Sequence, residues 1–147
     1  MSKILFAFLF ISSVAFSQQN ANLKKGFIAN GYDVVEYFNN KAEKGKKKFT
    51  ITYKEIKFKF SSAKNVEIFK SNPDKYSPQY GGYCAYAIGK SGEKVSINPK
   101  TFEIRDGKLY LFYNSWGTNT LDLWNNEGAK DLQKKADQNW EKLAKEK

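Results

Sequence analysis

Residues 49–62 read Phe49-Thr50-Ile51-Thr52-Tyr53-Lys54-Glu55-Ile56-Lys57-Phe58-Lys59-Phe60-Ser61-Ser62. Phe49, Ile51 and Tyr53 alternate with polar residues, as do Ile56, Phe58 and Phe60, so period two holds on both sides of Lys54-Glu55. The pattern predicts a β-hairpin with one apolar face. A two-residue hairpin loop wants left-handed backbone, which glycine or asparagine supplies easily. Neither stands here, and an unusual backbone conformation is expected at Glu55. Ser61 or Ser62 is placed to cap a helix over Ala63 to Ser71, which buries Val66 and Phe69 and stops before Pro73.

Working outward, Gly31-Tyr32-Asp33 reads as a turn in which Asp33 caps a brief helix from Val34 to Phe38. Downstream lies a glycine-aromatic stretch, Tyr80-Gly81-Gly82-Tyr83-Cys84-Ala85-Tyr86-Ala87. A second hairpin, Phe102 to Arg105 and Lys108 to Tyr113, turns at Asp106-Gly107, a type I′ signal. At the end, Ala129, Leu132, Ala136, Trp140 and Leu143 recur at helical spacing. Asp131 with Lys135 and Glu141 with Lys145 add i,i+4 pairs. Strand runs beside segregated helices predict an α+β fold: a small antiparallel sheet built from β-hairpins, packed with short helices and an amphipathic C-terminal helix. No linker or repeat interrupts it, so residues 18–147 read as one domain with a C-terminal helical extension.

The 147 residues hold no histidine, one cysteine and a formal net charge of +10. Without histidine there is no Ser-His-Asp triad, no Cys-His pair and no imidazole ligand. With one cysteine there is no internal disulfide, CxxC pair or thiolate cage. Lys3, the apolar run Ile4 to Phe16, and Ala15 and Ser17 before Gln18 form the three parts of a secretory signal peptide over residues 1–17. The run is too short for a transmembrane helix. The expected mature chain is periplasmic or secreted, cut near Ser17 and Gln18, with no transmembrane segment. Arg105 is the one arginine among 25 basic residues. Nucleic-acid recognition favours arginine, so no nucleic acid is expected, whereas weak electrostatic contact with an acidic surface fits the lysines.

Several stretches together carry a resemblance. They are Gly31-Tyr32-Asp33, Tyr53 through Phe60-Ser61-Ser62, Phe69 through Tyr76, Ser77-Pro78-Gln79-Tyr80-Gly81-Gly82-Tyr83-Cys84-Ala85, Asp106-Gly107-Lys108-Leu109-Tyr110-Leu111, and Ala136-Asp137-Gln138-Asn139-Trp140. The chain resembles the exported branch of the YHS domain family over nearly all of its expected mature length. The resemblance implies a scaffold that, in copper-transporting ATPases and some hydroxylases, is taken to bind metal through cysteines. One such pattern in relatives is Phe-Cys-Ser-x-x-Cys. Here the corresponding residues are Phe60-Ser61-Ser62-Ala63-Lys64-Asn65, so a hydroxyl and an amide replace both soft ligands.

Cys84 is the remaining thiol, and the exported branch is similar to forms that carry selenocysteine at this position. Two readings of Cys84 stand: a redox or soft-metal site, copper included, or a small buried hydrophobe among tyrosines. The tyrosines and tryptophans likewise read as pocket lining or as core. Asp33 reads as a cap, without a partner that would define an acid/base pair. The leading expectation is an exported, non-catalytic YHS-type binding module for a small ligand or protein partner. Its candidate ligand-binding residues are Cys84, Tyr80, Gly81, Gly82, Tyr83, Tyr32 and Asp33, forming a Tyr/Gly-rich cleft. The alternative is a thiol-dependent redox or metal-binding protein using Cys84.

Overall fold

The computed structural model describes residues 20–146; the signal peptide read in residues 1–17 lies outside them. Among the described residues, eight strands and five α-helices make an α+β fold. The central hairpin pairs β3 (Lys46–Tyr53) with β4 (Ile56–Phe60). The register sets Ile51 against Phe58 and Tyr53 against Ile56. Lys54 and Glu55 both adopt positive φ, at 49° and 66°. The twist of the flanking strands selects this turn against the residues' own preference. Phe58 and Phe60 are buried, and Phe69 of helix α1 (Ala63–Ser71) packs on them with ring centroids 4.7 and 4.9 Å apart. Ser62 caps α1, its hydroxyl accepting from the Asn65 N–H at 3.1 Å.

Two short strands extend this sheet. β1 (Leu23–Lys24) pairs with β2 (Phe27–Ile28), and β2 lies parallel to β4, giving the order β1-β2-β4-β3. After α1 come the one-turn α2 (Pro73–Tyr76) and helix α3 (Ala85–Ser91). The second hairpin, β5 (Asn98–Arg105) with β6 (Lys108–Phe112), forms a separate two-stranded sheet turned at Asp106 and Gly107. Leu109, Tyr110, Leu111 and Phe112 are all buried, so β6 is covered on both faces. A small hairpin, β7 (Asn114–Ser115) and β8 (Thr118–Asn119), leads into α4 (Thr120–Glu127) and α5 (Ala129–Leu143).

Helix α5 buries Ala129, Leu132 and Ala136 against α3. The two helices pack tightly at Gly89, where a Cβ would sit 2.6 Å from the Leu132 carbonyl oxygen. Glu141 and Lys145 pair at 3.6 Å, whereas Asp131 and Lys135 form no ion pair among the described residues. The helix expected from Val34 to Phe38 is a 3₁₀ turn over Glu36–Asn39. No helix among the described residues is long and apolar enough to cross a membrane.

Candidate functional site

Asp33 is fully buried and joins the N-terminal turn to the β4–α1 junction. Its Oδ1 accepts from the backbone N–H of Val35 at 2.9 Å and of Glu36 at 3.4 Å, which caps the turn leading into Glu36–Asn39, although the N-cap of that 3₁₀ turn is Val35 and not Asp33. Its Oδ2 accepts from the Ser61 N–H at 2.8 Å, the Ser61 hydroxyl at 2.7 Å and the Asn65 amide at 2.8 Å. The Asn65 amide also donates to Glu36 Oε1 at 2.7 Å. Ser61 and Asn65 therefore aim hydrogen-bond donors at one carboxylate. A soft cation needs thiolate or imidazole acceptors there, so these residues do not fit one. Among the described residues, no group of three or more Cys, Asp, Glu or His side chains could hold a metal ion.

Cys84 is fully buried just before α3. Its Sγ lies 3.3 Å from Thr120 Oγ1, whose own proton goes to the Tyr113 carbonyl at 2.6 Å. With that proton engaged, the thiol is the donor of the first bond. Such a sulfur is packed and hydrogen-bonded, and a reagent or metal reaches it only after the surrounding core opens.

The glycine pair serves close packing. Tyr80, Gly81 and Gly82 have φ of 56°, 60° and 79°. A Cβ on Gly81 would lie 1.9 Å from the Asn20 carbonyl oxygen. The Asn22 N–H and side-chain amide donate to the carbonyls of Gly81 and Gly82 at 2.8 and 3.1 Å. The pair thereby docks the chain at residues 20–22. Tyr80 donates to Asp137 Oδ1 at 2.8 Å, and burial, with the adjacent carboxylate, pushes its phenol well above the ordinary value. Tyr83 stacks obliquely near Trp140, centroids 6.2 Å apart, and burial raises its phenol too. Tyr80 and Gly81 line an open hollow of about 350 Å³ with Asp74, Asp137, Trp140 and Glu141.

Tyr32 lies elsewhere, on a cleft of about 360 Å³ whose walls carry Lys24, Lys25, Lys44 and Lys59 around Phe27. The sheet register explains the convergence. Cross-strand partners share a face, and the pairs Lys24–Phe27, Phe27–Lys57, Lys57–Thr52 and Lys59–Thr50 all lie opposite the buried Phe58 and Phe60. Lys44 joins them through a bridge to Tyr32. The Lys59 ammonium sits 4.1 Å from the centre of the Phe27 ring, and its stem passes 3.4 Å from where a Gly31 Cβ would stand. Packing on both sides orders this cation before any ligand arrives. No carboxylate lines the cleft, and none of its four lysines is ion-paired among the described residues.

The seven candidate residues thus do not share one cleft. Cys84 and Asp33 are interior, Gly82 is buried, Tyr83 packs near Trp140 outside both hollows, Tyr80 and Gly81 face one hollow, and Tyr32 faces another. Sequence reasoning gave the lysines only a weak contact with an acidic surface and missed the cleft. The one available signal was the strand alternation that puts Lys57 and Lys59 outward. No family model, curated protein or solved structure matches the chain.

Proposed function

We propose that the chain is an exported, non-catalytic binding module of the YHS type whose ligand is a small organic anion held in the lysine-walled cleft. The observation that carries this reading is the concave meeting of four unpaired lysines over Phe27 and Tyr32, with no carboxylate on its walls. Four lysines gathered from three places on the chain at one aromatic-floored hollow repel one another, and an anion relieves that repulsion. Phe27 and Tyr32 add apolar surface for the organic part of the ligand. Two charge-assisted contacts, discounted for solvent exposure, together with partial burial of an apolar body give an affinity of roughly 10–100 μM. The non-catalytic part of the reading is supported by Asp33 and Cys84, whose polar atoms are turned inward and hydrogen-bonded.

Calorimetric titration with citrate, benzoate and phosphate at low and high salt tests this reading. Lys24→Gln combined with Lys59→Gln is expected to weaken binding of the best anion about tenfold or more, with the fold retained by circular dichroism. Equal binding by the double variant and the parent, or no binding of any anion by the parent, refutes it.

A further inference from the structure

We propose that the anion is one unit of an acidic oligosaccharide, whose chain runs from the lysine-walled cleft past Asn30 to the hairpin carrying Trp116. This rests on the reading of that cleft as an anion site and names the class of ligand. A second hollow of about 310 Å³ shares Lys24, Asn30 and Pro99 with the cleft, so the two adjoin. Its chemistry differs. Beyond Lys24 its walls carry no charge: Asn98, Tyr113, Asn114 and Ser115 donate and accept hydrogen bonds beside the apolar Ile97 and Pro99.

Asn98 is fixed for such a role. Its amide donates to the Asn114 carbonyl at 3.3 Å and its Oδ1 accepts from the Lys100 N–H at 3.0 Å. Asn114 is braced in turn on the Thr101 hydroxyl at 3.1 Å. A compact anion such as phosphate uses the lysine end alone. A ligand matching both ends carries negative charge at one part and hydroxyl groups along the rest, which is the chemistry of a uronate or sulfated sugar chain.

Trp116 is the independent observation. The hairpin that brings Ser115 into the second hollow has Trp116 at its tip, 96% exposed and at φ 54°. A left-handed turn position suits glycine or asparagine, and an indole in water gains nothing from folding. Trp116 does not line the hollow itself, but its exposed indole beside Ser115 suits the apolar C–H face of a pyranose ring that leaves the hollow there. Indoles and lysines also meet at membrane surfaces, but a concave, amide-walled groove fits a chain better than a flat bilayer.

The test uses purified protein and monomeric and trimeric galacturonate, a sulfated disaccharide with its monosaccharide, and the neutral counterpart of each. Indole fluorescence and calorimetry read the binding. At least one acidic oligomer is expected to bind about tenfold tighter than its monomer and than its neutral counterpart. Trp116→Ala, on an exposed turn, is expected to remove the oligomer's advantage and leave monomer binding unchanged. If small anions bind and depend on Lys24 and Lys59, but no oligomer exceeds its monomer, the saccharide proposal fails while the anion site stands. If no anion binds, both fail. If phosphatidylglycerol vesicles bind in a Trp116-dependent manner and no oligomer does, the surface belongs to lipid and the saccharide is ruled out.

Discussion

Replacing Asp33 with asparagine keeps the shape of the side chain and reverses the hydrogen-bonding sense of one of its two polar atoms. In the native fold every neighbour of the carboxylate is a donor. Val35 and Glu36 direct backbone N–H groups at Oδ1, and Ser61, through N–H and hydroxyl, and Asn65, through its amide, are directed at Oδ2. If the new amide nitrogen takes the Oδ1 position, two backbone N–H groups face a donor. If it takes the Oδ2 position, the Ser61 hydroxyl can turn and accept, but the Ser61 N–H and the Asn65 amide are left facing N–H. Either way two donors lose their acceptor at a site that is 0% exposed. A donor left unsatisfied in the interior costs about 1–3 kcal/mol, so Asp33→Asn is expected to destabilise the fold by roughly 4 kcal/mol. That is a large share of the ~5–15 kcal/mol that holds a domain folded. Urea unfolding followed by tryptophan fluorescence at pH 7 measures it, with coincident circular dichroism to establish a two-state transition. A loss under about 1 kcal/mol would falsify the account of Asp33 as a saturated acceptor that ties the N-terminal turn to β4 and α1.

Two further expectations follow from buried groups. Cys84 should react with a thiol reagent only at the rate at which the core opens, so labelling slows as stability is raised; immediate stoichiometric labelling of the folded protein would revive the thiol-dependent alternative. Tyr37 is buried and donates to the Pro99 carbonyl at 2.6 Å, and burial above all, then Tyr32 and Asp33, raises its phenol above the ordinary 10.0. Its native state thus holds the proton that the unfolded chain gives up, so its contribution is intact below pH 10 and is lost as pH rises further, by up to ~1.4 kcal/mol per pH unit. Tyr37→Phe should flatten the loss of stability between pH 10 and 12 by that amount, and an unchanged slope argues against a shielded phenol.

Where neighbours in sequence decide the structure, the residues announced it. The alternation from Phe49 to Phe60 specifies the β3–β4 hairpin because period two is enough to choose the buried face. The Asp106-Gly107 turn and the apolar stripe of α5 were legible for the same local reason. The parallel pairing of β2 with β4 was not, since two-residue strands carry no period and their partner lies about 30 residues away. Helix α3 was hidden in a stretch that glycine and tyrosine make look irregular, and its place depends on the close crossing at Gly89. Asp33 was recognised as a cap, but its bonds to Ser61 and Asn65 are tertiary. The lysine cleft was least visible, because charges that meet through three separate segments leave no pattern in any one of them.

Strand β4 joins these threads. Phe58 and Phe60 point inward to Phe69, and the chain after Phe60 delivers Ser61 and Asn65 to Asp33. Lys57 and Lys59 point the other way, onto the face that Phe27 and Lys24 share. A cation-binding site on the inner side would need acceptors where Ser61 and Asn65 present donors, and the carboxylate of Asp33 already satisfies those donors. The inner side therefore serves to fix the strand, while the cations that could meet a ligand stand on its outer side. On the YHS-type reading proposed above, exchanging two thiols for a hydroxyl and an amide reverses the polarity of the junction from metal-holding to carboxylate-holding. Recognition then passes to the opposite face of the same five-residue strand, and the ligand it suits changes sign with it, from a cation to an anion.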